Sequence, residues 1–121
     1  MSIIGVCGLI GSGKDTVAQY LIDSRGYQRV SFADALKDAT AVLFGWDREM
    51  LEGKTAESRK KREIEDDFWT EELGIPWSPR IALQYLGTDL FRNHLHADVW
   101  VIAAKRRMMQ QPNANFVISD V

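Results

Sequence analysis

The feature that most constrains this chain is the stretch GLIGSGKDT at residues 8–16. Apolar residues of a short strand, Ile3, Ile4 and Val6, run directly into it. Beyond it, Val17, Ala18, Leu21 and Ile22 recur at helical spacing. Glycines in such a loop let successive backbone N–H groups converge on a phosphate at the start of the next helix. Lys14 adds a mobile positive charge for terminal phosphates, and a hydroxyl helps to hold Mg2+. The usual pattern puts that hydroxyl immediately after the lysine, but here Asp15 stands in that place and Thr16 follows one step later. A strand, glycine loop and helix in this order imply an α/β fold with a parallel sheet.

The rest of the chain fits that frame. Residues 28–32 read as a second strand. A helix over 35–44 follows, with Leu36, Ala39, Val42 and Leu43 at helical spacing. Residues 54–72 are mostly charged, from Arg59, Lys60, Lys61 and Arg62 to Glu63, Glu65, Asp66 and Asp67, which predicts a solvated helix or lid. Ser78 can cap a helix over 78–95 with Pro79 at its first position. Another helix is expected over 97–109, and the chain closes on NFVISDV, a strand pattern. The whole reads as a single domain, residues 1–121, in which about 54–76 form a charged lid or substrate-side insertion.

Composition excludes some functions. At 121 residues, with a net charge of -2, the chain lacks the broad basic face of a nucleic-acid binder. No apolar run approaches the roughly 18 residues of a membrane span. The apolar start, MSIIGVCGLIG, lacks the basic region of a signal peptide. Cys7 is the only cysteine and is expected to be a small buried residue at a strand end. A cytoplasmic protein is expected, in the host cytoplasm if phage-encoded.

A second pattern lies in PRIALQYLGTDLFRNHL. Arg80, Gln84, Thr88 and Arg92 recur every fourth residue, forming a slowly drifting stripe at about 3.6 residues per turn. Ile81, Leu83, Tyr85, Leu86, Leu90 and Phe91 surround the stripe, so the helix is expected to be buried and the stripe to meet something polar. That is either other protein groups or a substrate pocket, where two arginines and an amide suit a phosphate and a base edge. Gly87 would let a ligand or backbone come close. Asp34 and Lys37 follow the second strand, at the sheet end where ligands bind in open α/β folds. Arg59 and Arg62 could close over phosphates, or simply belong to a solvated face. His94 and His96 point in different directions on a helix, which argues against a metal pair. Trp100 could stack on a nucleobase.

The loop resembles that of adenylate-kinase-like nucleoside monophosphate kinases, G-x-x-G-x-G-K-G-T. Gly8, Gly11, Gly13, Lys14 and Thr16 match it, and Asp15 replaces the last glycine. With SFADALKD, LEGKTAESRKKREIEDDFW, LQYLGTDLFRNHLHADVWV and the loop together, the chain resembles the phage-type deoxynucleoside monophosphate kinases from end to end. The resemblance implies a P-loop NTPase-like α/β/α fold of three layers with a parallel sheet. It implies transfer of the γ-phosphoryl group of ATP, with Mg2+, to a deoxynucleoside monophosphate. Gly11, Ser12, Gly13, Lys14, Asp15 and Thr16 would bind ATP, with Thr16 toward the metal; Asp15 could equally be a residue that complements the helix dipole. Lys37, Arg80, Gln84, Gly87, Thr88, Arg92, Trp100 and Asp120 would surround the acceptor, with Arg59 or Arg62 supplying a further arginine. Lys14, Arg80 and Asp120 are the expected catalytic residues.

In the family, the strand matching FVISDV continues into an Asp-x-Arg motif and a second half carrying the adenine site. This chain is therefore expected to be the N-terminal half of such a fold, with the C-terminal half absent. The glycine-loop strand would then be an exposed edge, so a homo-oligomer or a covering partner chain is expected. Two further readings are a non-catalytic nucleotide-binding remnant and a small-molecule kinase of the dephospho-coenzyme A type.

Overall fold

Strands β1 (Ile3–Gly5), β2 (Gln28–Val30) and β3 (Phe116–Ile118) form a parallel sheet in the order β1-β3-β2. The computed structural model describes residues 1–7 and 13–120, the Lys14 side chain excepted. Two compact units result: Met1–Asp34 with Trp100–Val121, and Ala35–Val99.

In the first unit β3, the last strand in sequence, is central. It pairs Ile4 with Val117 on one side and Arg29 with Val117 on the other. Side chains of a strand alternate between faces. Phe116 and Ile118 therefore share one face, where they pack with Val30 against Ala104 and Met108 of helix α7 (Val99–Met109). Val117, fully buried, points to the other face, where helix α1 (Lys14–Arg25) packs on β2 and β3 through its buried Ala18. The sheet is thus covered on both faces, as a parallel sheet requires. β1 is an edge strand, and Ile3 is half exposed.

The second unit is helical. Helix α2 (Asp34–Phe44) enters it and is followed by α3 (Arg48–Glu52), α4 (Ala56–Arg62), α5 (Asp67–Leu73) and α6 (Pro79–Gln84). Four of these start on the side-chain caps favoured at helix N-termini: Asp47 caps α3, Thr55 and Ser58 form a capping box on α4, Asp66 caps α5 and Ser78 caps α6. Phe44, Trp46, Trp69, Trp77 and Tyr85 form an aromatic cluster in it, of which Trp77 is buried. The Trp46 indole N–H donates to Asp66 at 2.8 Å and that of Trp69 to the Phe44 carbonyl at 2.9 Å. Among the described residues the buried Trp77 N–H has no such acceptor, and its ring neighbours include Phe44 and Tyr85.

Several expectations change. α6 does not continue as an α-helix to residue 95. It widens into a π-helical segment, Tyr85–Arg92, in which hydrogen bonds reach five residues back, as from the Asn93 N–H to the Thr88 carbonyl. The helix is also not wrapped in core, since Ile81, Tyr85 and Leu90 are substantially exposed. On α2 the buried residue is Thr40, whose hydroxyl donates to the Leu36 carbonyl at 2.7 Å, while Val42 and Leu43 face outward. Cys7 is exposed, because β1 ends before it.

Candidate functional site

Gly13 opens α1 in the left-handed region at φ 87°, a conformation that suits glycine, and no side chain caps the helix. Among the described residues no side chain accepts from the first-turn N–H groups, the arrangement that receives an anion. Asp15 and Thr16 are exposed in this turn. The expected phosphate ligands Gly11 and Ser12, Gly8 of the same loop and the Lys14 side chain lie outside the described residues.

The carboxyl ends of β2 and β3 meet beside this helix start. Arg29 donates to the Ser119 hydroxyl at 3.1 Å and comes within 4.0 Å of Asp15. The misplaced letter of the loop thus has a charged partner on the neighbouring strand, although at these exposures the pair contributes little stability. Asp120 accepts from the Ser31 hydroxyl at 2.5 Å and from the Phe32 and Ala33 N–H groups at 3.1 and 3.4 Å. Trp100 lies half buried in the first turn of α7.

The remaining candidates belong to the second unit. Lys37 lies 3.6 Å from Glu52, with only 17% of its side chain exposed. Glu52 also accepts from Arg48 at 2.7 Å, and Arg48 donates to Asp38 at 2.7 Å. Burial pushes the Glu52 carboxyl up, but the Arg48 hydrogen bond and the charges of Lys37, Arg48 and Lys54 leave it below its ordinary value. Burial opposes the charge on Arg48 as well, yet the hydrogen bonds and charges of Asp38 and Glu52 raise it overall.

Arg59 and Arg62 are both occupied by backbone. Arg59 donates to the Gly53 and Lys54 carbonyls, each at 3.1 Å, and Arg62 to the Leu51 carbonyl at 3.3 Å. Together they close the turn between α3 and α4, whose open carbonyls attract cations. Arg80 is exposed and pairs with Glu63 at 2.9 Å. Gln84, Thr88 and Arg92 are exposed and Gly87 is buried. Arg92 donates to the Ala97 carbonyl at 3.3 Å. The π segment turns less per residue than an α-helix. Positions four apart therefore lag within it where they would lead in an α-helix, which straightens the stripe from Arg80 to Arg92.

A cavity of about 370 Å³ at the α3–α4 turn is a poor phosphate site. Its carboxylates Asp47, Glu49, Glu52 and Glu57 outnumber Lys54 and Lys61. Among the described residues, no group of three or more His, Cys, Asp or Glu is placed to hold a metal. Mg2+ usually takes one or two protein oxygens, and phosphates and water complete its shell. An exposed Thr16 on an uncapped helix start fits that demand.

The sequence reading missed Arg29, Ser31, Glu52 and Glu63. Ser31 was detectable: with Asp34 three residues on it forms the S-x-x-D pattern of a helix start, and the Ser31 N–H does donate to Asp34 at 2.9 Å. Glu52 also had a local signal, in Arg48 four residues before it on the same helix, whereas Arg29, Glu63 and the contact of Glu52 with Lys37 depend on pairings distant in sequence.

The chain is 38% identical over 135 residues to a protein of Acanthamoeba polyphaga mimivirus provisionally named a deoxynucleotide monophosphate kinase, a match covering 100% of this chain and 64% of that protein. It is 26% identical over 168 residues to the deoxynucleoside-5'-monophosphate kinase of Escherichia phage T5, covering 98% of this chain and 67% of that protein. The chain thus spans about two thirds of the length of each relative. No family model matches it.

Proposed function

We propose, taking as premise that this chain is similar along its whole length to deoxynucleotide monophosphate kinases, that it transfers the γ-phosphoryl group of ATP to a deoxynucleoside monophosphate. The observation that carries the reading is Gly13, left-handed and without a side-chain cap, directly before Lys14 at the start of α1. A helix start of that kind suits a phosphate, and the chain aligns along its length with proteins named as kinases.

In this reading the backbone N–H groups of residues 11–16 hold the phosphates of ATP, and Lys14 neutralises charge on the group being transferred. Thr16 would hold Mg2+, which when bound supplies charge neutralisation at the phosphates. Phosphoryl transfer needs positioning and charge more than covalent help from the protein. Arg80 and Lys37 take the acceptor phosphate, each leaving a carboxylate, Glu63 or Glu52, to do so. Gln84, Thr88 and Arg92 meet the acceptor from their exposed stripe, with Gly87 beneath, and Trp100 takes the base. Arg59 and Arg62 serve the α3–α4 turn first, and either would reach phosphate only by leaving a carbonyl. The proposed setting is the cytoplasm, and the partners are the nucleotides and a strand from a second copy along β1.

An assay of ADP release with ATP, Mg2+ and each deoxynucleoside monophosphate, run beside Lys14→Ala, tests the proposal. Turnover that disappears in Lys14→Ala is the expected result. Absence of turnover with every acceptor, while ATP binding persists and is lost in Lys14→Ala, would favour a non-catalytic nucleotide binder. One observation favours that second reading: Lys37 and Arg80 are both engaged by carboxylates.

A further inference from the structure

The connection from β2 to α2 is held by a carboxylate from the other end of the chain. Ser31, Phe32 and Ala33 all donate to Asp120, through one hydroxyl and two backbone N–H groups. The Ser31 oxygen also accepts from the Ala33 N–H at 3.1 Å, so serine and aspartate share the shaping of this turn. A carboxylate has about four acceptor positions. Three donors here come from one loop, which leaves little of Asp120 for a ligand. The resemblance implies that Asp120 contacts the acceptor nucleotide and is catalytic, whereas these hydrogen bonds support a different role.

We propose that Asp120 is a positioning residue: acting through Ser31, it fixes the loop that launches α2, the helix carrying Lys37, and does not itself touch the nucleotide. In kinetic terms this rests on the kinase reading, because only turnover of a deoxynucleoside monophosphate gives a KM for it. The hydrogen bonds are independent of it. Asp120 and these bonds are exposed, yet a hydrogen bond to a charged group is still strong enough that its loss should release the donor by about tenfold.

The test compares Asp120→Asn, Ser31→Ala, the double variant and Ser31→Thr, with amide hydrogen exchange and steady-state kinetics as readouts. Exchange at Phe32 and Ala33 should quicken about tenfold in Asp120→Asn and Ser31→Ala, while Val117 in the central strand stays as in the wild type. The KM for the deoxynucleoside monophosphate should rise by a similar factor in both. The KM for ATP and kcat should stay within about threefold, the double variant should be no worse than Asp120→Asn, and Ser31→Thr should restore the wild-type values. A purely structural role would lower thermal stability without separating the two KM values. Two results would overturn the proposal. One is unchanged exchange at Phe32 and Ala33 in Asp120→Asn. The other is a collapse of kcat in Asp120→Asn with Ser31→Ala near normal, which would make Asp120 a direct participant. If the wild type has no turnover at all, the kinase reading fails while the exchange data still decide this one.

Discussion

Glu52 stands between Lys37 and Arg48, with contacts of 3.6 and 2.7 Å. Its carboxyl is pushed up by burial but pulled further down by those cations, to below its ordinary value of 4.5. Asp66 lies below its ordinary 3.8, chiefly because the Trp46 indole N–H and the Trp69 backbone N–H donate to it. In both cases the folded value lies below the unfolded one, so in acid the unfolded chain binds more protons. The stability these groups contribute is complete above the ordinary values and is lost as pH falls through the folded ones. The urea midpoint should therefore drop between about pH 5 and about pH 2, and Glu52→Gln should make that drop shallower. With its partners only partly exposed, Glu52→Gln should cost about 1 kcal/mol at neutral pH; an acid limb as steep as in the wild type would assign the loss elsewhere. Arg80 presents the opposite situation. Its pair with Glu63 is exposed on both sides, worth roughly 0.2–1 kcal/mol, so an acceptor phosphate can displace the carboxylate at small cost. Removing the competitor in Glu63→Gln should lower the KM for the deoxynucleoside monophosphate by about two- to fivefold without changing that for ATP. An unchanged or raised KM would take Arg80 out of the acceptor site.

The turn from α3 to α4 shows how an element can depend on one glycine. Gly53 has a φ of 69°, and a Cβ added there would lie 2.5–2.8 Å from the guanidinium atoms of Arg62. Alanine therefore meets a backbone penalty of about 1–2 kcal/mol and also displaces Arg62 from the Leu51 carbonyl. Gly26, at the same φ but in open space, isolates the backbone penalty alone. Gly53→Ala should destabilise more than Gly26→Ala in urea melts, and the excess should vanish when both are compared in an Arg62→Ala background. Equal losses in the wild-type background would show that Arg62 moves aside freely. The same scale explains what the sequence revealed. Helices α1, α2 and α7 and the three strands were legible because glycine, proline and capping residues bracket their periodic patterns. The π segment was not, because a residue pattern spaced by four fits an α-helix and a π-helix nearly equally. Among the site residues, Gly13 and Thr16 were legible from the loop motif. The engagement of Arg59 and Arg62 with carbonyls was not, since a run of cations reads alike whether it faces solvent or closes a turn.

At the scale of the molecule the sheet is the element left open. It is covered by α1 on one face and α7 on the other, but β1 pairs only with β3 among the described residues. β1 is short, which limits the danger of an open edge, but it carries none of the usual protections. Its sequence is Ile3-Ile4-Gly5, without lysine, proline or a bulge, and Ile3 is 50% exposed. Met1, at 54%, extends the apolar surface beyond the strand. Among the described residues nothing pairs with the other side of this edge, which leaves its N–H and C=O groups open to an extended segment of another molecule. The 121-residue chain should therefore self-associate at tens of micromolar, with an apparent mass in sedimentation that rises with concentration. Ile3→Lys places a charge on the edge while leaving its pairing with Phe116 through the backbone intact. It should shift the distribution toward monomer without lowering the thermal midpoint of the monomer itself. Two outcomes would count against the edge: a wild-type chain that sediments as one stable monomer across that range, or association that persists unchanged in Ile3→Lys.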